Sequence, residues 1–375
     1  MLPVKKWNFK KIVWVAILLG ASNLQAQILI GQTAGFTGAV AAGVKETTDG
    51  AMLYINAINA KGGVNGQKIE LISLDDKFEP KLAAENAKIL IEEKNVVAMF
   101  LTRGTPHTEA ILPLLDKYAV PLIGPSTGAM VLHQPVKKYV FNVRATYQRE
   151  AEKAVIHLGA LGIKRIALVY TDDSFGADGV IGAQKGLSAV NLTAVVNEKF
   201  DRTKPDFSKI IPKIVSADTQ AVVMIASGSA VVSGITALRA SGSGAQVVTL
   251  SNNASGGFVK SLGERGPGVV VTQVFPNERA ISYAFIKEAQ DFLKDNKDAG
   301  SLSPAMLEGY AAAKVLVEAL KRSGPSPTRV KLQSSLENMK KYDIGGLEVS
   351  FSLTDHTGLD FADLSIISTE GKFKR

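Results

Sequence analysis

Apolar positions along this chain follow two alternating rhythms. Short runs rich in β-branched residues, ILIGQT (28–33), KIELISL (68–74) and VVAMFL (96–101), read as strands. Between them, apolar residues recur three and four positions apart, predicting helices over 44–60, 80–94 and 106–118. The glycines of KGGVNG (61–66) close the first helix, and Pro80 opens the second at a place where a missing N–H costs nothing. The same grammar restarts past residue 145, with a helix over 148–161 and strands at RIALVY (165–170), TAVVNEKF (193–200), AVVMIA (221–226) and QVVTL (246–250). One more strand, GVVVTQVFP (268–276), precedes helices over 282–294, 304–322 and 328–338, and the chain ends in LEVSFS (347–352) and DLSIIS (363–368). Strand and helix in alternation predict parallel sheets covered on both faces, and two α/β lobes of similar size are the economical arrangement.

The first 26 residues obey neither rhythm. Lys5, Lys6, Lys10 and Lys11 precede an apolar core over 12–21, and a polar stretch then ends at Ala26. An apolar core of about ten residues is too short to span a bilayer and has the order of a secretory signal peptide cut after Ala26. Its loss removes four lysines and no acid, so the formal charge falls from +8 to +4 and gives no electrostatic footprint for nucleic acid. Trp7 and Trp14, the only tryptophans, leave with it. No cysteine occurs anywhere in the 375 residues, so an exported chain relies on apolar packing without disulfides, and no lipid is attached at the cut. The expected location is a periplasm, with the protein soluble and monomeric.

Residues that perform chemistry are sparse. The four histidines, His107, His133, His157 and His356, include no two at the spacing that shares a helix face, and HExxH and GxxxxGK[ST] are both missing. GPSTGA (124–129) breaks from an apolar run in the manner of a phosphate cradle, but it lacks the lysine that a P-loop needs. Asp75 with Asp76, and Asp172 with Asp173, end strands in the two halves, where carboxylates bond loops and cap helices. Neither pair is followed by the alternating oxygen ligands and closing glutamate of a calcium loop. The chain is therefore not expected to be an enzyme or to hold a metal or cofactor.

Position is more informative than motif. Ligands of parallel α/β sheets bind outside the carboxyl ends of the strands. Those ends fall at 34–39, 102–105 and 124–128 in the first half, and at 171–176, 227–229 and 251–255 in the second, and they are mostly Gly, Ser, Thr and Asn. Small hydroxyl and glycine residues let a ligand approach free backbone N–H groups, which suits a binding cleft.

TAGFTG (33–38), INAINAKGGVNGQKIELISLDDKFEP (55–80), RGTP (103–106) with IGPSTGA (123–129), and LVYTDDSFGADG (168–179) together resemble the type I periplasmic binding proteins. The likeness is to the leucine/isoleucine/valine-binding branch, the substrate receptors of ABC importers. It implies two Rossmann-like lobes with parallel central sheets joined by a three-strand hinge, crossing near 144–146, 272–274 and 345–352. The implied lobes are 27–144 with 275–345, and 145–274 with 346–375. A small-molecule ligand is implied between them and an ABC permease of the inner membrane as partner. A sensor of the same fold that signals to a receptor is the alternative.

The resemblance also implies ligand contacts. Thr102 and the Ser126-Thr127-Gly128 run match the positions that grip an amino acid's carboxylate and amino group, with Gly128 standing where a threonine is usual. In the second lobe, Asn252 and Asn253 stand where an acid usually meets the ammonium, so an ordinary α-amino acid fits less well than an amide or a carboxylate without an ammonium. Phe175 matches one covering aromatic residue, and Ser227 falls near where a second is usual. Arg103, beside Gly104, selects a carboxylate if it points inward and is a solvated charge if it points outward. Tyr147, Gln273 and Glu308 are further candidates.

Overall fold

The computed structural model describes residues 27–294 and 301–375, so the signal peptide read at 1–26 lies outside the described residues. The chain opens with β1 (Ile28–Ala34), α1 (Ala41–Ala60), β2 (Ile69–Asp75), α2 (Pro80–Lys88), β3 (Ala98–Phe100), α3 (Thr105–Tyr118), β4 (Leu122–Ile123) and β5 (Val140–Phe141). These five strands form one parallel sheet in the order β2-β1-β3-β4-β5. Then come α4 (Tyr147–Ala160), β6 (Ile166–Thr171), α5 (Ser174–Ala189), β7 (Val196–Phe200), α6 (Ile210–Ser216), β8 (Ala221–Ile225), α7 (Ser229–Ala240), β9 (Gln246–Thr249), α8 (Gly256–Leu262) and β10 (Val270–Gln273). The remainder is α9 (Ala284–Lys294), α10 (Pro304–Arg322), α11 (Arg329–Glu337), a two-stranded ribbon of β11 (Tyr342–Asp343) and β12 (Glu348–Val349), then β13 (Asp363–Ile367) and β14 (Phe373–Lys374). The second sheet runs β14-β13-β10-β9-β8-β6-β7, parallel except for β13, which is antiparallel to both neighbours. Two α/β lobes with mostly parallel central sheets result, as the alternation of strand and helix predicts.

Burial explains why the strands read as continuous apolar runs. All five residues of β8, AVVMI, are buried, because helices cover both faces of the sheet. In the first lobe, α10 is buried along most of its length and crosses α1 at close range. A Cβ on Gly50 would lie 2.0 Å from the Met306 carbonyl oxygen, and one on Gly309 would lie 1.7 Å from that of Thr47. The two backbones meet where each helix lacks a side chain.

Three local outcomes differ from the sequence expectation. The helix expected to reach residue 94 ends at Lys88 and continues as a π-helical turn, Ile89–Glu93. The strands β4 and β5 are two residues each, too short to show a period, although all four side chains are buried. The third passage between lobes, expected at 345–352, falls later. Val349, Phe351 and Leu359 belong to the first lobe's apolar core, with Phe351 edge-on to Phe141 and His356 stacked on it, and the chain enters the second sheet only at Asp363.

Candidate functional site

The strand-end loops of the two lobes meet across a seam. After β3 the backbone turns left-handed at Leu101, and Arg103 forms a one-residue parallel bridge with Ser126. That turn sends the Arg103 side chain inward, where it is 5% exposed. Its guanidinium donates to Ser126 Oγ at 2.9 Å and, across the seam, to the carbonyl oxygen of Asn252. Burial holds its pKa below the usual arginine value, and Arg144 and Arg202 push the same way against Tyr147 and Glu308. The inward orientation is thus the one adopted.

Beside it lies a second buried cation. Arg144, at the first passage between lobes, pairs with Glu150 of α4, donates to Ser251 Oγ at 2.7 Å, and stands 3.6 Å from Glu308 of α10. Its charged form is favoured: burial opposes it, but Glu150 and Glu308 outweigh burial. Glu150 also accepts from Thr272 Oγ1 and from the Ser251 N–H at 2.9 Å. One carboxylate therefore ties α4, the end of β10 and the loop after β9 to the inter-lobe passage. The Arg144 guanidinium lies 4.6 Å from the centre of the Tyr147 ring, which meets Phe175 edge-on at 4.8 Å.

An aromatic and cationic group closes another part of the seam. Asp75 accepts from the N–H groups of Phe36, Thr37 and Lys77, and Asp76 from that of Phe78, so the paired aspartates serve as loop bonders. They hold Lys77 and Phe78 in left-handed conformations. Phe78 is thereby set against His107, stacked at 4.2 Å, and against Arg202 of the other lobe at 5.1 Å. Arg202 pairs with Asp173, which caps α5 through the N–H groups of Phe175 and Gly176 at 3.0 Å. Burial pushes the pKa of His107 down to about 4, so the ring beside Phe78 is neutral.

The residues expected at the site are brought to this seam in unequal condition. Thr102 shares its hydroxyl with Thr108 at 2.9 Å, and Thr127 with Thr105 at 2.8 Å, so both are used internally. Asn253 is fully engaged, donating to the Ala226 carbonyl and Thr249 Oγ1 and accepting from the Gly228 N–H. Asn252 donates to the Ala226 carbonyl and to Ser227 Oγ, leaving its buried Oδ1 without a partner. Gly104 precedes α3 with φ 91°. Gln273 turns back on its own strand, donating to the carbonyl of Val271. Gly128 has a structural reason to lack a side chain: a Cβ there would lie 2.6 Å from the Ala145 carbonyl oxygen, where the chain passes between lobes. Packing at this passage accounts for the missing side chain.

Arg144, Glu150, Phe78 and Arg202 were not singled out from sequence. Phe78 had a signal, since two aspartates ahead of it fix its loop; the others act only through partners far along the chain.

A cavity of about 400 Å³ opens on the seam. Residues 38–43 line it from the first lobe with Arg103; Gly228, Ser229, Val232, Asn252, Ser255 and Phe258 are among those facing it from the second. Its rim is fixed by the Ser229 N–H donating to the Ala39 carbonyl at 3.2 Å. Below it, Glu46 of α1 accepts from the N–H groups of Gly256 at 2.9 Å and Gly257 at 2.7 Å, and from Ser303 Oγ at 2.6 Å. Among the described residues no group of three or more His, Cys, Asp and Glu gathers as a metal site would, and no helix is long and apolar enough to cross a membrane.

Comparison with known proteins agrees with this architecture. The model of a family described as periplasmic binding protein matches residues 27–362. An amino acid binding protein of Pseudomonas aeruginosa is 25% identical over 58% of this chain and 59% of its own length, so that match spans less than two thirds of the relative. Leu/Ile/Val-binding protein homolog 7 of Brucella suis is 24% identical over 82% of this chain and 80% of its own. The crystal structure of a possible leucine/isoleucine/valine-binding protein from Rhodopirellula baltica superposes with a TM-score of 0.88 at 25% identity, covering 95% of this chain and 98% of that one.

Proposed function

Because the chain belongs to the periplasmic binding protein family, in its type I leucine/isoleucine/valine-binding branch, we propose that it is the solute-capturing component of an ABC importer. It takes a small polar solute, amino-acid-like, amide or carboxylate, between the lobes and hands it to a membrane permease. Members of the family bind ligands rather than transform them. The observation that carries the proposal is the seam itself: strand-end loops of both lobes, bridged by Arg103 with Asn252 and by Ser229 with Ala39, enclose a cavity of ligand size. We take the lobes as 27–144 with 275–359, and 145–274 with 360–375, following the apolar cores.

Solute contacts drawn from both lobes favour the closed arrangement over an open one, so affinity and closure are one linked equilibrium. Mass spectrometry of the gently prepared protein is expected to find one small solute in stoichiometric amount, which calorimetry then titrates back into the stripped protein. A preparation carrying no solute, and inert toward a broad panel of amino acids, amides and carboxylates, would refute the reading.

A further inference from the structure

Among the described residues that line the cavity between the lobes one is charged, and it is a cation, Arg103. Its two hydrogen bonds go to neutral acceptors, a serine hydroxyl and a backbone carbonyl. No Asp or Glu among the described residues forms an ion pair with it. The neighbouring acids are committed elsewhere: Glu150 to Arg144, Thr272 and Ser251, Asp173 to Arg202, and Glu308 to the second face of Arg144. A guanidinium taken out of water with no ion-pair partner is costly, and an anion entering the cavity relieves that cost.

The surroundings point the same way. Helices α1 and α7 both begin at the cavity, and neither Val40 nor Gly228 supplies a side-chain cap, so their positive ends face the same space. The other walls include Val40, Val232 and Phe258, which suit an apolar body. Among the described residues nothing acidic lines the cavity, so an ammonium placed there would be desolvated without a partner. Asn252, whose Oδ1 is unpartnered, remains as an acceptor for a hydroxyl or amide group.

We propose that the cargo is a carboxylic acid without an ammonium group, its carboxylate paired with Arg103 and its apolar body against Val40, Val232 and Phe258. This rests on the solute-binding reading and narrows it to a substrate class, with Arg103 as the residue that sets specificity.

Three probes sharing one carbon skeleton test it on the whole mature protein, stripped of solute: 4-methylpentanoate, 4-methylpentanamide and leucine. Calorimetry is expected to give the carboxylate an affinity at least about tenfold above the other two. In Arg103→Gln that preference disappears, while Arg103→Lys keeps part of it; circular dichroism checks that both fold. Should Arg103→Gln not fold, the comparison of acid with amide on the native protein still decides. Equal or tighter binding of the amide or of leucine overturns the assignment and leaves solute capture standing, as does a co-purified solute with no carboxylate. Failure of all three probes together with a solute-free native preparation overturns the binding reading as well.

Discussion

Among single residues, the buried histidines give the clearest test. Burial holds both His107 and His133 near pKa 4, against about 6.5 in an unfolded chain. Between those values the unfolded chain binds more protons, so each histidine makes stability rise with pH from 4 to 6.5 and has no effect above that window. Asp76, pushed up to about 6 by burial, works in the opposite direction, as do Asp178 and Glu278, both raised by burial. A comparison of variants isolates one group from that sum. His133→Leu should lose about 3 kcal/mol less than the native protein on acidification from pH 6.5 to 4, measured by urea denaturation. Parallel curves for the two proteins would show that His133 does not titrate as argued. At this scale the sequence was only half legible. That Asp75, Asp76 and Asp173 bond loops and cap a helix followed from their places at strand ends. The direction of Arg103 did not follow, because it depends on Asn252, 149 positions away, and on a left-handed turn at Leu101.

Elements were legible wherever burial imposed a period over enough residues. The alternation of β1, α1, β2 and α2 could be read because each helix shows one apolar face and each strand a compact apolar run. The two-residue strands β4 and β5 carry no period, and LEVSFS gives no sign that Val349 and Phe351 turn into the first lobe's core rather than crossing to the second. The crossing of α1 and α10 was equally hidden, since helix periodicity does not say which glycine faces a partner backbone. Its tightness has a measurable consequence. Gly309→Ala forces a carbon to within 1.7 Å of the Thr47 carbonyl oxygen, so the helices have to separate. We expect a loss of about 3 kcal/mol in denaturant unfolding, with the fold retained, as for an overpacked core. A change below about 0.5 kcal/mol would mean that the crossing relaxes freely.

Across the whole molecule, α1 is the element that both lobes use. It packs on α10 along its length, its leading loop meets α7 through Ala39 and Ser229, and Glu46 reaches the start of α8. Glu46 thus holds Ser303 in its own lobe and Gly256 with Gly257 in the other. Glu46→Ala removes this strap while leaving every side chain that lines the cavity in place, so the ligand-free protein should populate open forms more, and the cargo should bind more weakly. Small-angle scattering is expected to show a larger radius of gyration for the ligand-free variant that returns to the native value at saturating cargo. An unchanged radius and affinity would make the strap incidental to closure.

The same strap leaves a record in the backbone. The N–H groups of Gly256 and Gly257 have the Glu46 carboxylate as partner, and that of Ser229 the Ala39 carbonyl, only while the lobes are together. Their exchange with deuterated solvent should therefore slow on cargo binding, whereas the interior of β8, hydrogen-bonded on both sides, should exchange slowly in either state. Peptides covering 227–232 and 254–260 would then report occupancy of the cleft for any cargo, without the cargo being labelled or known.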